Sequence, residues 1–561
     1  MNQWGPQREE GGIRFRQWAP AAEQVLLEVD GQSPIALQAQ PAGWWDILRD
    51  IPVGARYRFR IGDTVVPDPA SRAQDGDAHG WSVVTDSAYA WHNTGWKPRL
   101  WQETVLSEVH VGLAGGFRKL AAQLDHYTEI GITAIELMPV NDFPGQRNWG
   151  YDGVLPFAPD EAYGTPDDLK FLIDEAHGHS LMVFLDVVYN HFGPDGNYLP
   201  FYAPQFFRSD LKTPWGNAID FRQAPVQAFF IENARYWLGE FRFDGLRFDA
   251  VHAIRDPEFL QLLGRTLRAE FPDRHLILEN EDNGAGLLDI YTAQWNDDFH
   301  NTLHVLLTGE TDGYYADFAP DGTAKLARLL SEGFAFQGEY AGHIGHERGQ
   351  ASDHLPATSF VSFLQNHDQI GNRALGERLI TLSDERVLKA AVVLQLLGPQ
   401  IPLLFMGEEM GAREPFLFFT DYHDPALAKA VREGRAAEFA KFPAFASGEI
   451  TVPDPNAEET FTRCRLGPGD PAWRDFYRWL LFLRRTLIVP RLKGTVGINA
   501  RPIGEKAVLA SWRLGDGARL TIATNLSTAP MRADLPTAKP IYGDMPGDSI
   551  APYTTLVWIE A

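Results

Sequence analysis

Hydrophobic and polar positions alternate near the start of the chain with the period of a β-strand. Residues 56–61 alternate arginine with apolar side chains before Gly62, and Val25–Val29 ends at an Asp-Gly turn. This alternation is typical of an antiparallel strand with one buried face. Because no helical period interrupts it, residues 1–95 are predicted to form a small β-sandwich.

From residue 96 to 490 the pattern changes to short apolar runs separated by helical periods. The predicted strands are Val105 to Val111, Ile132 to Met138, Leu181 to Val188, Asp244 to Asp249, Leu276 to Leu278, Phe360 to Leu364 and Ile401 to Phe405. About eight strand–helix units over roughly 400 residues predict the α/β class and a (β/α)₈ TIM barrel with insertions. A doubly wound open sheet is the alternative, but no Gly-rich phosphate loop follows the first strand.

Several predicted helices carry recognisable end signals. The apolar period over residues 117–127 stops before Gly131, a predicted C-cap. Thr165 precedes a proline and two acids, the pattern of a helix N-terminus. Residues 225–238 form a further predicted helix, ended by Gly239.

The last region, residues 491–561, is β-rich again. Residues 508–514 alternate up to a Gly-Asp-Gly turn, and residues 520–522 continue the alternation on its other side. This arrangement predicts a hairpin within a C-terminal β-domain. A chain of 561 residues is long enough for the three domains that these boundaries imply.

Composition restricts the class of function. The net charge is −24, from 74 acidic and 50 basic residues, and no basic run offers a face for nucleic acid. No long uncharged apolar run is present, which argues against a membrane span. A single cysteine, Cys464, excludes an internal disulfide and a thiolate metal cluster. The first residues lack a signal-peptide pattern, so a cytoplasmic location is expected.

Polar residues concentrate where the predicted barrel strands end, which is where barrel enzymes carry their active groups. Asp186 lies on the third strand, and His191 follows it. Asp249 and Glu279 stand at the ends of the fourth and fifth strands, and His367 and Asp368 follow the seventh. A single carboxylate of this kind could be a helix cap. Several on one face indicate a catalytic site.

The residue types suggest a particular chemistry. Arg247 and Asp249 lie two apart on a strand, so their side chains point the same way, and the guanidinium favours the ionised carboxylate. Glu279 follows three large apolar residues, and Asp368 is expected beside it as a like charge. Both factors favour a protonated Glu279. One ionised and one protonated carboxyl are what a retaining glycosidase needs.

These segments resemble the motif regions of the α-amylase superfamily of glycoside hydrolases, and the resemblance covers the whole chain. It implies that Asp249 is the nucleophile, Glu279 the general acid/base and Asp368 the third acid, which binds the 2- and 3-hydroxyls of the distorted sugar. Residues 1–95 then resemble a carbohydrate-binding module.

The same resemblance implies a set of substrate-binding residues. They are Tyr151 as a stacking ring, Asp152 as a hydroxyl ligand, Asp186 as the first-motif aspartate, His191 and His367 as hydrogen-bond partners of the sugar, and Arg247 beside the nucleophile. His252, three residues after Asp249, is placed on the substrate side as well.

Further segments resemble the maltooligosyltrehalose trehalohydrolases within that superfamily. They include residues 149–153, 188–198, 295–300, 369–373 and 415–421. The resemblance implies hydrolysis of the α-1,4 bond next to the terminal trehalose of maltooligosyl trehalose, in trehalose biosynthesis. The expected partners are this substrate and α-1,4-glucan oligosaccharides, and the protein is expected to be a monomer without cofactor. No Asp/Asn-rich loop demands calcium, so no metal is expected.

Two other functions remain open. One is a branching transferase acting on α-1,4-glucan, although such enzymes usually carry Glu where this chain has Gln369. The other is a superfamily member that binds glucan or a protein without turnover. Within the site, Glu281 is an alternative to Glu279 as the acid, and Asp297 and Asp298 are expected to divide between a structural role and a role on the reducing side of the substrate.

Overall fold

Two facing antiparallel sheets form the N-terminal region of the computed structural model, which describes residues 3–440, 451–545, 547 and 549–561. The strands are β1 (Gln7–Glu9), β2 (Gly12–Trp18), β3 (Val25–Val29), β4 (Ile35–Ala36), β5 (Gln38–Ala39), β6 (Trp44–Arg49), β7 (Arg56–Ile61), β8 (Thr64–Val66), β9 (Gln74–Asp75) and β10 (Trp81–Val83). One sheet has the order β1-β2-β6-β5, and the other has the order β4-β3-β7-β10-β9 with β8 paired to β7. Phe15 of the first sheet meets Tyr57 of the second with ring centroids 4.8 Å apart. The predicted β-sandwich is confirmed, because inward side chains of both sheets share one core.

In the central region, the described residues form fourteen strands, eight of which make up a barrel. They are β11 (Leu106–Val109), β12 (Ala134–Leu137), β13 (Asn141–Asp142), β14 (Leu155–Pro159), β15 (Met182–Val187), β16 (Phe207–Thr213), β17 (Gly216–Ile219), β18 (Gly245–Phe248), β19 (His275–Leu278), β20 (Ala293–Trp295), β21 (Glu339–Ala341), β22 (His346–Arg348), β23 (Phe360–Ser362) and β24 (Ile401–Phe405). Strands β11, β12, β15, β18, β19, β20, β23 and β24 close into a parallel barrel. Closure confirms the (β/α)₈ prediction and excludes the open doubly wound sheet. Strand β20 was not predicted, because three residues are too few to show a period.

Inside the barrel, three strands change from apolar to acidic along their inward face. Leu106, Ala134 and Phe184 belong to the apolar cluster that fills the barrel. Side chains two residues apart on a strand share a face, so the next inward positions are Glu108, Glu136 and Asp186. Glu108 and Glu136 are register partners on adjacent strands. A polar layer therefore begins just below the carboxyl ends of the strands.

The helices surround the barrel and connect its strands. They are α1 (Val111–Ala114), α2 (Phe117–Ala121), α3 (Leu124–Ile130), α4 (Pro166–Gly178), α5 (Leu199–Tyr202), α6 (Ala224–Gly239), α7 (Pro257–Glu270), α8 (Asp297–Thr308), α9 (Gly322–Glu332), α10 (His367–Gly371), α11 (Leu379–Leu382), α12 (Glu385–Leu397), α13 (Pro425–Phe439), α14 (Glu458–Thr462) and α15 (Pro471–Leu483). Short 3₁₀ turns occupy Pro41–Gly43, Asp77–His79, Trp101–Glu103, Pro204–Phe206, Val251–Ala253, Gly313–Asp317, Ala357–Ser359, Glu408–Met410 and Val489–Arg491, and Arg484–Ile488 is a π-helical turn.

Most predicted helix ends are confirmed. Thr165 accepts a hydrogen bond from the Asp168 amide, while the Asp168 carboxylate accepts one from the Thr165 amide. Gly131 adopts the left-handed conformation, with φ of 104°, after α3. The helix predicted to end before Gly239 instead includes it.

The prediction of one continuous helix over residues 117–127 is wrong. The chain makes a tight turn between α2 and α3, where the Gln123 amide donates to the Leu120 carbonyl over 2.9 Å. Gln123 itself has a non-helical φ of −106°. Both short helices still bury their apolar residues, so the apolar spacing persists through the break.

A four-stranded antiparallel sheet completes the chain. It consists of β25 (Val496–Gly504), β26 (Ala507–Arg513), β27 (Arg519–Asn525) and β28 (Thr554–Glu560) in sequential order. Pairing of Arg513 with Arg519 closes the predicted hairpin, which is confirmed. The Trp512 indole donates to the Leu330 carbonyl of α9 over 2.8 Å, which attaches the sheet to the barrel region.

Across the ranges that the structure describes, every helix is too short or too polar to cross a membrane.

Asp244, directly before β18, is expected to be a stability determinant. Its Oδ2 accepts from the Val183 amide at 2.8 Å and lies 3.0 Å from His177 Nε2, while its Oδ1 accepts from the Trp96 indole at 2.8 Å. The side chain is fully buried. Asp244→Ala leaves these partners unpaired, so it should lower the free energy of unfolding by about 3–5 kcal/mol, measured by urea denaturation. Asp273→Ala is the matched control, because this carboxylate is 59% exposed. A loss no larger than that of the control would contradict the role.

Candidate active site

Arg247 lies at the centre of the carboxyl face of the barrel and contacts three carboxyl groups. Its Nη1 lies 2.6 Å from Asp186 Oδ2 and 2.7 Å from Asp249 Oδ1, and its Nη2 lies 3.3 Å from Glu279 Oε2. The guanidinium is fully buried and sits 4.2 Å from the centre of the Trp295 ring. Burial alone would lower the pKa of Arg247, but the surrounding carboxylates raise it well above its usual value. The side chain is therefore a permanent cation shared by three strands.

Asp249 directly follows β18, and both of its carboxylate oxygens are held. Oδ1 accepts from Arg247, and Oδ2 accepts from the Asn190 amide nitrogen at 2.6 Å. The same Asn190 nitrogen donates to the Asp249 backbone carbonyl at 3.0 Å. Asn190 was not predicted as a site residue, although it directly precedes His191. Together these contacts fix the rotamer of an ionisable carboxylate that is 11% exposed.

Glu279, which follows β19, is positioned by the residue after Asp249. Ala250 has φ of 40° and ψ of 50°, a left-handed conformation uncommon for a residue with a Cβ. This turn directs the Ala250 amide to Glu279 Oε2 at 2.5 Å. Because Arg247 approaches the same oxygen, Oε1 is left to carry an acid proton.

The charge environment favours that proton. Burial raises the pKa of Glu279 above its usual value. Arg247 opposes the shift, whereas the carboxylates of Asp249 and Asp368 add to it. Glu281, the alternative acid, is 47% exposed and lies against His252, with Glu281 Oε2 3.7 Å from His252 Nε2. The geometry therefore favours Glu279 as the acid.

His367 and Asp368 begin α10 next to a residue that the sequence analysis missed. Glu108 Oε1 lies 2.5 Å from His367 Nδ1, and Glu108 Oε2 accepts from the His367 amide at 3.0 Å. His367 Nε2 lies 3.4 Å from Asp368 Oδ2. Burial lowers the pKa of His367, but Asp368 and Glu108 outweigh burial and raise it to about 9. A cationic imidazole thus orients Asp368, whose side chain is 42% exposed.

Tyr151 packs directly against His367 on one side of the site. Its hydroxyl donates to Asp186 Oδ2 at 2.6 Å, and its ring stacks on His367 with centroids 4.9 Å apart. Asp186 is almost fully buried, and burial raises its pKa to about 7. Asp186 therefore connects Tyr151 to Arg247 from beneath the site.

His191 has protein partners at both ring nitrogens. Nδ1 contacts the Asn190 side-chain oxygen, and Nε2 lies 2.9 Å from the Tyr151 carbonyl. Burial lowers the pKa of His191, which favours the neutral ring. Trp215 stacks on this ring with centroids 4.8 Å apart and is 47% exposed. His191 thus connects the loop bearing Tyr151 with an exposed aromatic surface.

Two further predicted residues lie at the edges of the site. Asp152 Oδ2 accepts from the Asn148 side chain at 2.8 Å, and the Tyr422 hydroxyl bonds the same carboxylate. His252 lies in the turn Val251–Ala253, where its Nδ1 accepts from the Glu281 amide at 3.3 Å. The structure therefore brings all ten predicted residues to one end of the barrel.

A cavity of about 170 Å³ opens beside Glu279 and Asp368. His252 and Asp297 line it, and its outer wall comes from the turn Gly313–Asp317 and from the β21–β22 hairpin. Five lining residues of this wall were not predicted from the sequence: Tyr314, Asp317, Phe318, His343 and Ile344. They lie on insertions, and the Asp-Gly-Tyr-Tyr segment at 312–315 was their only sequence signal.

Within the described part of the chain, no group of three or more His, Cys, Asp or Glu side chains is arranged to hold a metal ion.

Two family models match the chain. The model described as "Alpha amylase, catalytic domain" matches residues 70–203, and the "Domain of unknown function (DUF3459)" matches residues 497–557. Among solved structures, a Salmonella typhimurium protein described as an alpha amylase has a TM-score of 0.95 and 43% identity, with both chains fully covered. A pullulanase from Paenibacillus barengoltzii has a TM-score of 0.72 at 20% identity, covering 99% of this chain and 94% of that one. This second likeness concerns the fold alone.

Curated relatives cover most of the chain. A Malto-oligosyltrehalose trehalohydrolase from Saccharolobus solfataricus is 37% identical over 86% of this chain and 87% of its own length. One from Deinococcus radiodurans is 40% identical over 84% and 81%, respectively. A 1,4-alpha-glucan branching enzyme from Mycolicibacterium paratuberculosis is 27% identical over 72% of this chain and 60% of its own. The chain therefore belongs to the malto-oligosyltrehalose trehalohydrolase family, and it carries an α-amylase catalytic domain.

Proposed function

We propose that this protein hydrolyses the α-1,4 bond next to the terminal trehalose of maltooligosyl trehalose, releasing trehalose and a shortened maltooligosaccharide. The observation that carries the proposal is the Arg247 guanidinium, which contacts Asp249 and Glu279 at once. Two carboxyls held by one small cation suit a retaining glycosidase, whose carboxyl groups lie about 5–5.5 Å apart. Family membership supports the choice of leaving group.

The reaction proceeds in two displacements. Asp249 attacks the anomeric carbon and forms a covalent glycosyl ester, while Glu279 gives its proton to the departing glycosidic oxygen. Water then attacks the ester, and Glu279, now ionised, takes the proton from that water. Burial of Glu279 supports this exchange of roles, because it raises the pKa of the carboxyl above its usual value.

The remaining acid and the aromatic groups bind the sugar at the cleavage point. Asp368 is the more exposed acid and has His367 behind it, so it is assigned to the 2- and 3-hydroxyls of that sugar. Tyr151 is assigned to stacking, and His191, Asp152 and His252 to the walls of the cleft.

The proposed setting is trehalose biosynthesis in the cytoplasm, with the protein acting as a monomer. Its lone thiol, Cys464, is buried and unpaired with another cysteine, which suits a reducing compartment. The branching-transferase alternative corresponds to the more distant relative and is an outcome of the following experiment.

Product analysis tests the reaction. We expect maltotriosyl trehalose to yield free trehalose and maltotriose, and maltotetraose to be cleaved more slowly because it lacks the trehalose end. Chromatography of both digests measures this. New α-1,6 links without trehalose would identify a branching transferase, and the absence of any turnover would favour the binding-only alternative.

Asp249→Asn tests the nucleophile. The amide keeps the size of the side chain but cannot form the glycosyl ester, so kcat should fall by about three orders of magnitude or more. The thermal unfolding midpoint should stay close to that of wild type, and the exposed Asp289→Asn is the matched control. Hydrolysis at the wild-type rate would rule out Asp249 as the nucleophile.

The pH dependence tests Glu279 as the acid. Activity requires the protonated form, so kcat/KM should be retained below the raised pKa of Glu279 and be lost as pH rises through it. Glu279→Gln should abolish hydrolysis of maltotriosyl trehalose but still release fluoride from α-maltotriosyl fluoride in an initial burst, because fluoride leaves without a proton. Steady turnover should remain slow, because the second step needs Glu279 as the base for water. The alkaline fall in rate should be absent from the rate of that burst. An unchanged alkaline limb in the variant would assign the titration to another group.

A further inference from the structure

Two adjacent acids at the start of α8 lie in opposite environments. Asp298 is fully buried, and its Oδ1 pairs with Arg348 Nη1 at 2.8 Å. Its Oδ2 accepts from the Asn283 side chain and from the amides of Ala335 and Phe336. These contacts tie the start of α8 to β22 and to the loops that carry Asn283 and Ala335, so Asp298 is structural.

Asp297 instead lines the cavity beside Glu279. Its Oδ1 accepts from the Gln369 side-chain amide at 3.2 Å. The other end of that amide is fixed, because Gln369 Oε1 accepts from the Asn366 backbone amide at 3.0 Å in the cap of α10. Gln369 must therefore present its NH₂ group to Asp297.

The position of the cavity relative to the acids shows which part of a substrate would enter it. Its lining includes Glu279 and Asp368 but not Asp249, Tyr151 or Asp186. Asp368, which is assigned to the glycosyl sugar, therefore marks the inner end of the cavity. The cavity thus lies on the side of the general acid, and the group that receives the acid's proton must depart in this direction. A leaving sugar would occupy the cavity, and the glycosyl part of the substrate would lie on the Tyr151 side.

The side chain of Asp297 suits a hydroxyl-rich ligand because its surroundings favour the uncharged, protonated carboxyl. Burial raises its pKa to about 8, and the carboxylates of Glu279 and Asp368 contribute to the shift against Arg348. A protonated carboxyl both donates and accepts a hydrogen bond. Because Oδ1 accepts from Gln369, Oδ2 is the oxygen left to carry the proton and to donate to a ligand hydroxyl.

We propose that Asp297, oriented by Gln369, hydrogen-bonds a hydroxyl of the departing disaccharide and thereby selects the leaving group. This inference rests on the proposed hydrolysis of maltooligosyl trehalose. Glu at position 369 would place a second carboxyl against Asp297, and the two would compete for one proton. The amide at position 369 therefore determines whether Asp297 keeps its proton and can donate a hydrogen bond into the cavity.

Leaving-group dependence tests the proposal. Asp297→Ala should lower kcat/KM on maltotriosyl trehalose by about tenfold, which corresponds to the loss of one hydrogen bond. On para-nitrophenyl α-maltotrioside, whose aryl group carries no sugar hydroxyl, the loss should be several times smaller. The inhibition constant of free trehalose should rise by about the same factor as the loss on the trehalose-terminated substrate.

Conservative variants separate binding from folding. Asp297→Asn retains a donor at this position, so it should recover most of the lost kcat/KM, whereas Gln369→Glu should not. Asp321→Asn, at an exposed left-handed position where asparagine fits, is the control for both substrates. Thermal midpoints of all variants check that they fold.

The outcomes are distinguishable from those that test the proposed function. If the wild type releases no trehalose, the proposed function fails before any variant is measured. If the wild type does release it, equal losses on both substrates, or no loss on either, would overturn the role of Asp297. A larger loss on the trehalose-terminated substrate, together with weaker inhibition by trehalose, would support it.

Discussion

Burial of the Arg247 guanidinium is the constraint on which the site depends. A fully buried cation is stable only when it is paired and hydrogen-bonded, and here Asp186, Asp249 and Glu279 supply the negative charge. Arginine suits this position because its planar fork can meet several carboxylates, whereas lysine offers a single point charge. Since the three carboxyls follow or lie on the neighbouring strands β15, β18 and β19, pairing of these strands also assembles the catalytic groups.

The sequence was sufficient for the local part of this arrangement. Arg247 and Asp249 are two residues apart on one strand, so strand geometry alone puts their side chains on one side, and the 2.7 Å contact agrees with that prediction. Glu279 followed from its position at the end of an apolar run. The barrel itself was predicted from the repeated alternation of strand and helix periods. This alternation extends over enough residues to be recognised.

Longer-range partners could not be obtained in the same way. Glu108 holds His367 from 259 residues away, and nothing next to it in the chain marks that pairing. Asn190 was overlooked because an amide gives no charge signal beside the histidine that follows it. Tyr314 and His343 reach the cavity from insertions whose path depends on tertiary packing, which no periodicity describes.

The left-handed backbone at Ala250 has a consequence for how such enzymes can diversify. The backbone amide of Ala250, the residue after the proposed nucleophile, donates to the carboxyl of Glu279. The spacing of the two carboxyls is therefore set inside the barrel rim. The cavity wall is built from a separate turn and hairpin. Mutation and exchange of these outer segments can therefore alter which sugar departs, while the stereochemical course of the reaction is inherited unchanged.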